Sequence, residues 1–162
     1  LQKIAPASLK LEIVEIGHLS FYNDDEADAP PAGYAEFRAT IKAADAVLFL
    51  SPEYNRSISG VLKNAIDHGS RPMGRNAWAG KPAGIIGLSS GACGTAMAQQ
   101  HLRNILAVLD VPAMAQPEAF IGYYDGLFDE NGNIGPKSRD FLQSWMDRFV
   151  AWVGMIAGAR DR

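Results

Sequence analysis

The chain has 162 residues, 48% of them hydrophobic and 20% charged, with a formal net charge of −3 and a pI near 5.6. That length buries a core without disulfide or metal staples, and the acidic balance excludes a protein built mainly to grip nucleic acid, which needs a basic face. No apolar run approaches the about 20 residues that span a bilayer, and a single cysteine fits a reducing, cytoplasmic setting.

In chain order, residues 1–6 read as the tail of a helix. Residues 10–16, KLEIVEI, alternate apolar and polar and predict a strand with one face less buried. A polar, proline-punctuated loop over 17–32 leads to a short amphipathic helix over 34–44, with Phe37 and Ile41 inward. Residues 46–50, AVLFL, form a continuous apolar run, the pattern of a strand covered on both faces, and Pro52 ends its ladder because it has no N–H to give. Ser57 or Ser59 can cap the next helix, whose apolar positions from Gly60 to Ile66 fall at helical spacing. After a long loop over 69–81 come a second apolar strand over 82–88, PAGIIGL, and a helix over 95–110 with Leu102, Ile105, Leu106 and Leu109 on one face. A last strand covers 119–123. In a closing helix over 136–157, Phe141, Trp145, Phe149, Val153 and Ile156 recur every three or four residues. Strands alternating with helices imply an α/β fold, a parallel sheet in a three-layer sandwich, built as a single domain over residues 1–162.

Two strand-to-helix connections hold residues suited to chemistry. Pro52, Glu53, Tyr54, Asn55, Arg56 and Ser57 follow the central strand, at the carboxyl edge where open α/β sheets bind ligands. An aromatic ring, an amide, backbone N–H groups and a cation in six residues suit a flat molecule with polar edges better than a metal or a bare anion. The residues alone leave open an ordinary connection with Tyr54 folded back on the core. The second connection, from Ser89 through Ser90, Gly91, Ala92 and Cys93 to Gly94, has small residues and available N–H groups that let a planar cofactor approach the backbone. A plain glycine-rich turn is its alternative.

Gly87 to Gly91 also spells G-x-S-x-G, the nucleophile elbow of α/β-hydrolases. The only histidine after Ser89 is His101, within the next helix and with no acid between, so the order Ser, acid, His that the triad needs is not met and the sequence argues against a serine hydrolase. His18, His68, His101 and Cys93 lack metal-ligand spacing, and no metal site is expected. Cys93 reads as a small packed residue. Asp129 to Asn133 lacks the spacing of a calcium loop and predicts a turn around Asn131-Gly132. Arg71, Arg75 and Lys81 read as surface cations, with a landing place for the phosphates of a nicotinamide donor as the functional alternative.

The run Pro52-Glu53-Tyr54-Asn55, followed by Gly60-Val61-Leu62-Lys63-Asn64-Ala65-Ile66-Asp67, resembles the signature of the NADPH-dependent FMN reductases, the flavodoxin-like group that includes chromate and quinone reductases. The resemblance runs from residue 1 to about residue 153. It implies a non-covalently bound FMN with Pro52, Glu53, Tyr54, Asn55, Ser89 and Gly91 in the cofactor site. It also implies NAD(P)H as donor and a small-molecule electron acceptor (a quinone, azo dye, free flavin or metal oxyanion such as chromate), with two hydride transfers in ping-pong order. No catalytic side chain is expected, because the flavin carries the hydride and the protein positions it. The family's members are dimers or tetramers, although Met97 and Gln100 stand where many relatives have Arg and Tyr.

Such a domain has five parallel strands in the order 2-1-3-4-5. The four strands read here then lack the first, together with its phosphate loop of G-S-x-R type, about 20 to 25 residues in all. The expectation is an amino-terminally incomplete sequence, since both neighbours of a lost central strand would have unpaired ladder groups. Val153 to Gly158 is loosely apolar and could supply the strand by permutation, but helical periodicity through Ile156 opposes this. Two other functions remain open: a flavodoxin-type electron carrier and a non-catalytic dimerising domain.

Overall fold

Apolar strands with helical connections give a parallel sheet, and the computed structural model, which describes residues 1–26, 29–31 and 33–160, has one. Its chain order is α1 (Tyr34–Ala43), β1 (Val47–Ser51), α2 (Gly60–Ser70), β2 (Ala83–Ser89), α3 (Ala96–Val108), β3 (Ala119–Gly122) and α4 (Pro136–Arg160). The strands lie in the order β1-β2-β3, with Ser51 opposite Gly87 and Ser89 opposite Gly122. On its other side β1 has no ladder partner among the described residues.

Successive strand residues face opposite sides, and the core divides accordingly. Phe49 and Ile85 join one cluster with Phe37 and Ile41 of α1, Leu62 and Ile66 of α2, and Leu102 and Leu106 of α3. Leu48, Ile86 and Ile121 join the other with Leu142, Trp145, Met146 and Phe149 of α4. The result is the expected flavodoxin-like sandwich of helix, sheet and helix. Arg38 of α1 is buried and donates to the carbonyls of His68 (3.3 Å), Gly69 (3.0 Å) and Arg75. A guanidinium thus satisfies the carbonyl end of α2, where the helix dipole favours positive charge.

Several expectations are corrected. Residues 10–16 do not form a strand. A strand needs a neighbour for its N–H and C=O groups, and this segment pairs with none among the described residues. The Leu11 carbonyl accepts from the Gln2 amide at 2.9 Å instead. Leu9 and Leu11 pack on the α4 side of the sheet and Ile16 and Leu19 on the other, so the segment crosses from face to face and leaves Ile13 74% exposed. The amino terminus is a single 3-10 turn over Gln2–Ile4 rather than the tail of an α-helix. Helix α2 continues to Ser70, which shortens the loop after it. In α4 the buried stripe is Leu142, Trp145, Met146 and Phe149, and Phe141 lies one step outside it, exposed.

Candidate functional site

The three strands end on one rim, so the segments leaving them are neighbours whatever their separation in sequence. The first is the 52–57 connection. Ser59, rather than Ser57, caps α2, its hydroxyl accepting from the Leu62 N–H at 3.3 Å. That leaves residues 54–57 free to close a tight turn of their own. The Tyr54 N–H donates to the Ser57 carbonyl at 2.9 Å, and the Ser57 N–H returns to the Tyr54 carbonyl at 3.0 Å. Both central residues are left-handed, Asn55 at φ 51 and Arg56 at φ 68. Two successive left-handed residues make the hairpin turn of type I′. The second position is unusual for arginine, whose Cβ is crowded there. Tyr54 is 61% exposed, with Asn55 and Arg56 exposed beside it. The tyrosine therefore stands out from the rim and is not folded back on the core.

Glu53 leaves the rim for α3. Its Oε2 accepts from the N–H groups of Met97 and Ala98, both at 3.0 Å, which places a carboxylate on the positive end of that helix. Across the same gap, Ser57 Oγ lies 3.0 Å from Nδ1 of His101. Pro52 forms the base of the connection, its carbonyl accepting from the Ser51 hydroxyl at 2.8 Å.

The second segment runs from Ser89 to Thr95. Ser89 Oγ accepts from the Gly91 N–H at 3.1 Å, which curls the backbone tightly as it leaves β2. Ser90, Gly91, Ala92 and Cys93 are exposed. Cys93 is thus a surface thiol and not the packed residue expected; Gly94, beside it, turns the chain at φ 58 against the backbone of Phe120 and carries Cys93 outward. Behind the loop, Thr95 is fully buried against Gly87, where any Cβ would overlap it. The third segment begins at Tyr123, 59% exposed, whose N–H donates to the Ser89 carbonyl at 2.9 Å. The N–H groups of Asn55, Arg56, Ala92 and Cys93 have no acceptor among the described residues. The rim thus offers exposed aromatic rings, small residues and unpaired backbone donors.

Lys81 donates to the carbonyls of Lys42 (3.0 Å) and Ala44 (2.5 Å) and closes the end of α1. The Arg71 carbonyl accepts from the Tyr34 hydroxyl at 2.8 Å. No trio of His, Cys, Asp or Glu suited to a metal is found among the described residues. The turn at Asn131-Gly132 is present, with Asp129 accepting from the N–H groups of Asn131 (2.9 Å) and Asn133 (2.7 Å). Beside α2, Asn64 and His68 hold the 19–22 backbone: Asn64 bonds Ser20 and Tyr22, and His68 Nε2 lies 2.8 Å from the Ser20 carbonyl. There the Tyr22 hydroxyl donates to Asp24 at 2.6 Å, and that bond pushes its pKa up to about 12, so it stays neutral at ordinary pH.

Sequence reasoning missed the links from Glu53 and Ser57 to α3 and the place of Tyr123. An acid just ahead of a turn is a recognisable capping signal, but it caps a helix more than forty residues away, and sequence spacing does not reveal that.

The molecule is similar to known proteins in both sequence and shape. A family model described as NADPH-dependent FMN reductase matches residues 1–126. A quinone reductase of Pseudomonas putida is 51% identical over 154 residues, 94% of this chain and 83% of its own length. A 2-hydroxy-1,4-benzoquinone reductase of a Burkholderia species is 47% identical over 155 residues, 94% of this chain and 84% of its own. Among solved structures, FerB of Paracoccus denitrificans, a flavoenzyme NAD(P)H:(acceptor) oxidoreductase, superposes with a TM-score of 0.89 at 41% identity, over 95% of this chain and 85% of its own. By sequence and by fold, the chain belongs to the NADPH-dependent FMN reductase family.

Proposed function

We propose that this rim holds the isoalloxazine ring of FMN and that the protein passes electrons from NAD(P)H to a quinone there, in two half-reactions of ping-pong order. As a member of its family the chain is an oxidoreductase with FMN as cofactor and NAD(P)H as donor. The observation that supports the site is the convergence of the 52–57 and 89–95 segments on one strand-end rim, with Tyr54 and Asn55 standing out from it. The residues present fit a flavin ring. Asn55 and the N–H groups of Ala92 and Cys93 can meet its polar pyrimidine edge. Tyr54 supplies an aromatic surface, and Ser89 and Gly91 let the ring approach the backbone. Pro52 and Glu53 belong to the cofactor site as the base of the turn, with Glu53 acting through its hold on α3.

FMN supplies the hydride chemistry when bound, accepting two electrons from the nicotinamide and releasing them to the acceptor. The chain's own residues would bind and orient: the 52–57 turn would hold the polar edge of the ring and the 89–95 segment would offer backbone donors beside it, with donor and acceptor using the site in turn. Quinones are the acceptor class supported by the named relatives; azo dyes, free flavins and oxyanions such as chromate share the same two-electron requirement. We place the enzyme in the cytoplasm as a homodimer or homotetramer, a reading that the single cysteine and the family resemblance support. No described helix is long and apolar enough to cross a membrane.

The test is NADPH oxidation by the FMN-loaded protein, followed with and without a benzoquinone. Quinone-dependent oxidation is expected; retention of FMN without any nicotinamide oxidation would make the protein an electron carrier. Asn55→Ala is expected to weaken FMN binding about tenfold, the worth of one or two lost hydrogen bonds. Unchanged affinity removes Asn55 from the site.

A further inference from the structure

We propose that His101 is a positioning residue for the 54–57 turn, and so for the edge of the site that orients the ring; the inference rests on the flavin reading above. The turn has little of its own to aim it. Tyr54, Asn55 and Arg56 are exposed, so core packing does not fix them. Arg56 holds a left-handed conformation that arginine does not prefer. The two backbone bonds across the turn close it but do not orient it against the sheet.

Orientation comes from both legs, and both reach α3. The leading leg is held by Glu53 Oε2 on the N–H groups of Met97 and Ala98, and the trailing leg by Ser57 Oγ, 3.0 Å from His101 Nδ1. His101 lies four residues after Met97, on the same side of the helix one turn further along. Successive turns of one helix thus grip the two sides of the loop. The helix is a firm anchor, because Ala98, Leu102 and Leu106 on its inner face are buried against the sheet. A serine hydroxyl rotates to donate to a neutral Nδ1 or to accept from a protonated one, so the grip does not depend on the charge of the ring. The side-chain bond of His101 is to Ser57, and its effect passes through that residue.

The test compares wild type, His101→Ala, Ser57→Ala, the double variant and His101→Asn, whose amide stands near the position of Nδ1. FMN dissociation constants, the visible spectrum of bound flavin, KM and kcat for a benzoquinone, and melting of the FMN-free protein are measured. His101→Ala and Ser57→Ala are each expected to weaken FMN binding about three- to tenfold and to shift the flavin bands, with the double variant no weaker than either single one. His101→Asn restores wild-type binding, and melting of the FMN-free protein stays unchanged. Wild-type affinity in His101→Ala, fully additive losses in the double variant, failure of Asn to restore binding, or a loss seen only in melting would each overturn the proposal. Failure of the wild-type protein to bind FMN would overturn the flavin reading itself, and this proposal with it.

Discussion

At the scale of single residues, the informative pair is Asn55 and Arg56. Left-handed backbone costs an L-residue about 1 to 2 kcal/mol; asparagine bears it better than most because its short amide bonds locally. Arg56 has no such relief, and its conformation, φ 68, is imposed by the hairpin turn. Arg56→Gly is therefore expected to hold or raise stability by up to about 1 kcal/mol, and Arg56→Val to lower it by about 1 to 2 kcal/mol, read as shifts in urea midpoint. Equal effects from both substitutions would show that the turn relaxes freely. The sequence made Tyr54 and Asn55 conspicuous as an aromatic and an amide after a strand. It could not show that Arg56 is left-handed, because arginine is a poor marker of that region. Glu53 and Ser57 were legible as polar residues at the rim, but their partners lie 44 or 45 residues away on α3, at a distance set only by folding.

At the scale of elements, the junction of β2 and α3 is the tightest contact behind the site. Gly87 lies under Thr95, and a Cβ at that position would overlap the threonine side chain. Gly87→Ala is expected to cost about 2 kcal/mol, as overpacked cores do, and to weaken FMN binding too, because the strain displaces the loop that precedes α3. Calorimetric melting and a flavin titration check the two effects separately; loss of stability with binding intact would mean that the 89–95 loop is insulated from the junction. Most elements were readable because their apolar spacing is strong: AVLFL, PAGIIGL and the stripe of α3 leave little ambiguity. Residues 10–16 carry an equally clear pattern, apolar and polar in alternation, yet they pair with no described strand. Alternation records which side chains can share a face, and a strand also requires a neighbour for its backbone. The stripe of α4 was offset in the same spirit: Phe141 fits a three-or-four spacing, and only packing shows that Leu142 takes the buried place instead.

At the scale of the whole molecule, the α/β sandwich and the family were visible before any coordinates, since both follow from long-range regularities of the sequence. A long-range feature that was not visible is the tie between the first residues of the chain and the turn just ahead of α4. Lys3 Nζ donates to Asn133 Oδ1 at 2.6 Å and to the Asn131 carbonyl at 3.4 Å, beside the turn built on Asp129. The Asn133 side-chain amide, helped by the N–H groups of Asn133 and Asn131, holds the Asp129 carboxyl below its usual value of 3.8. A carboxylate depressed in the folded state adds stability above its unfolded pKa and loses that contribution as pH falls through the lower folded value. Asp129→Ala is thus expected to lower the urea midpoint near pH 7, with the gap from wild type closing as the solution is made more acidic than about pH 4. A gap that persists unchanged at pH 2 would assign the effect to the backbone of the turn.

The chain's one thiol stands in solvent at Cys93, on the loop proposed to support the cofactor. A maleimide dye therefore has a single address on each molecule, a few residues from Ser89 and Gly91. Its rate of attachment becomes a gauge of occupancy, slowing when flavin shields the loop and recovering when the flavin is washed out, with no enzyme turnover needed to read it.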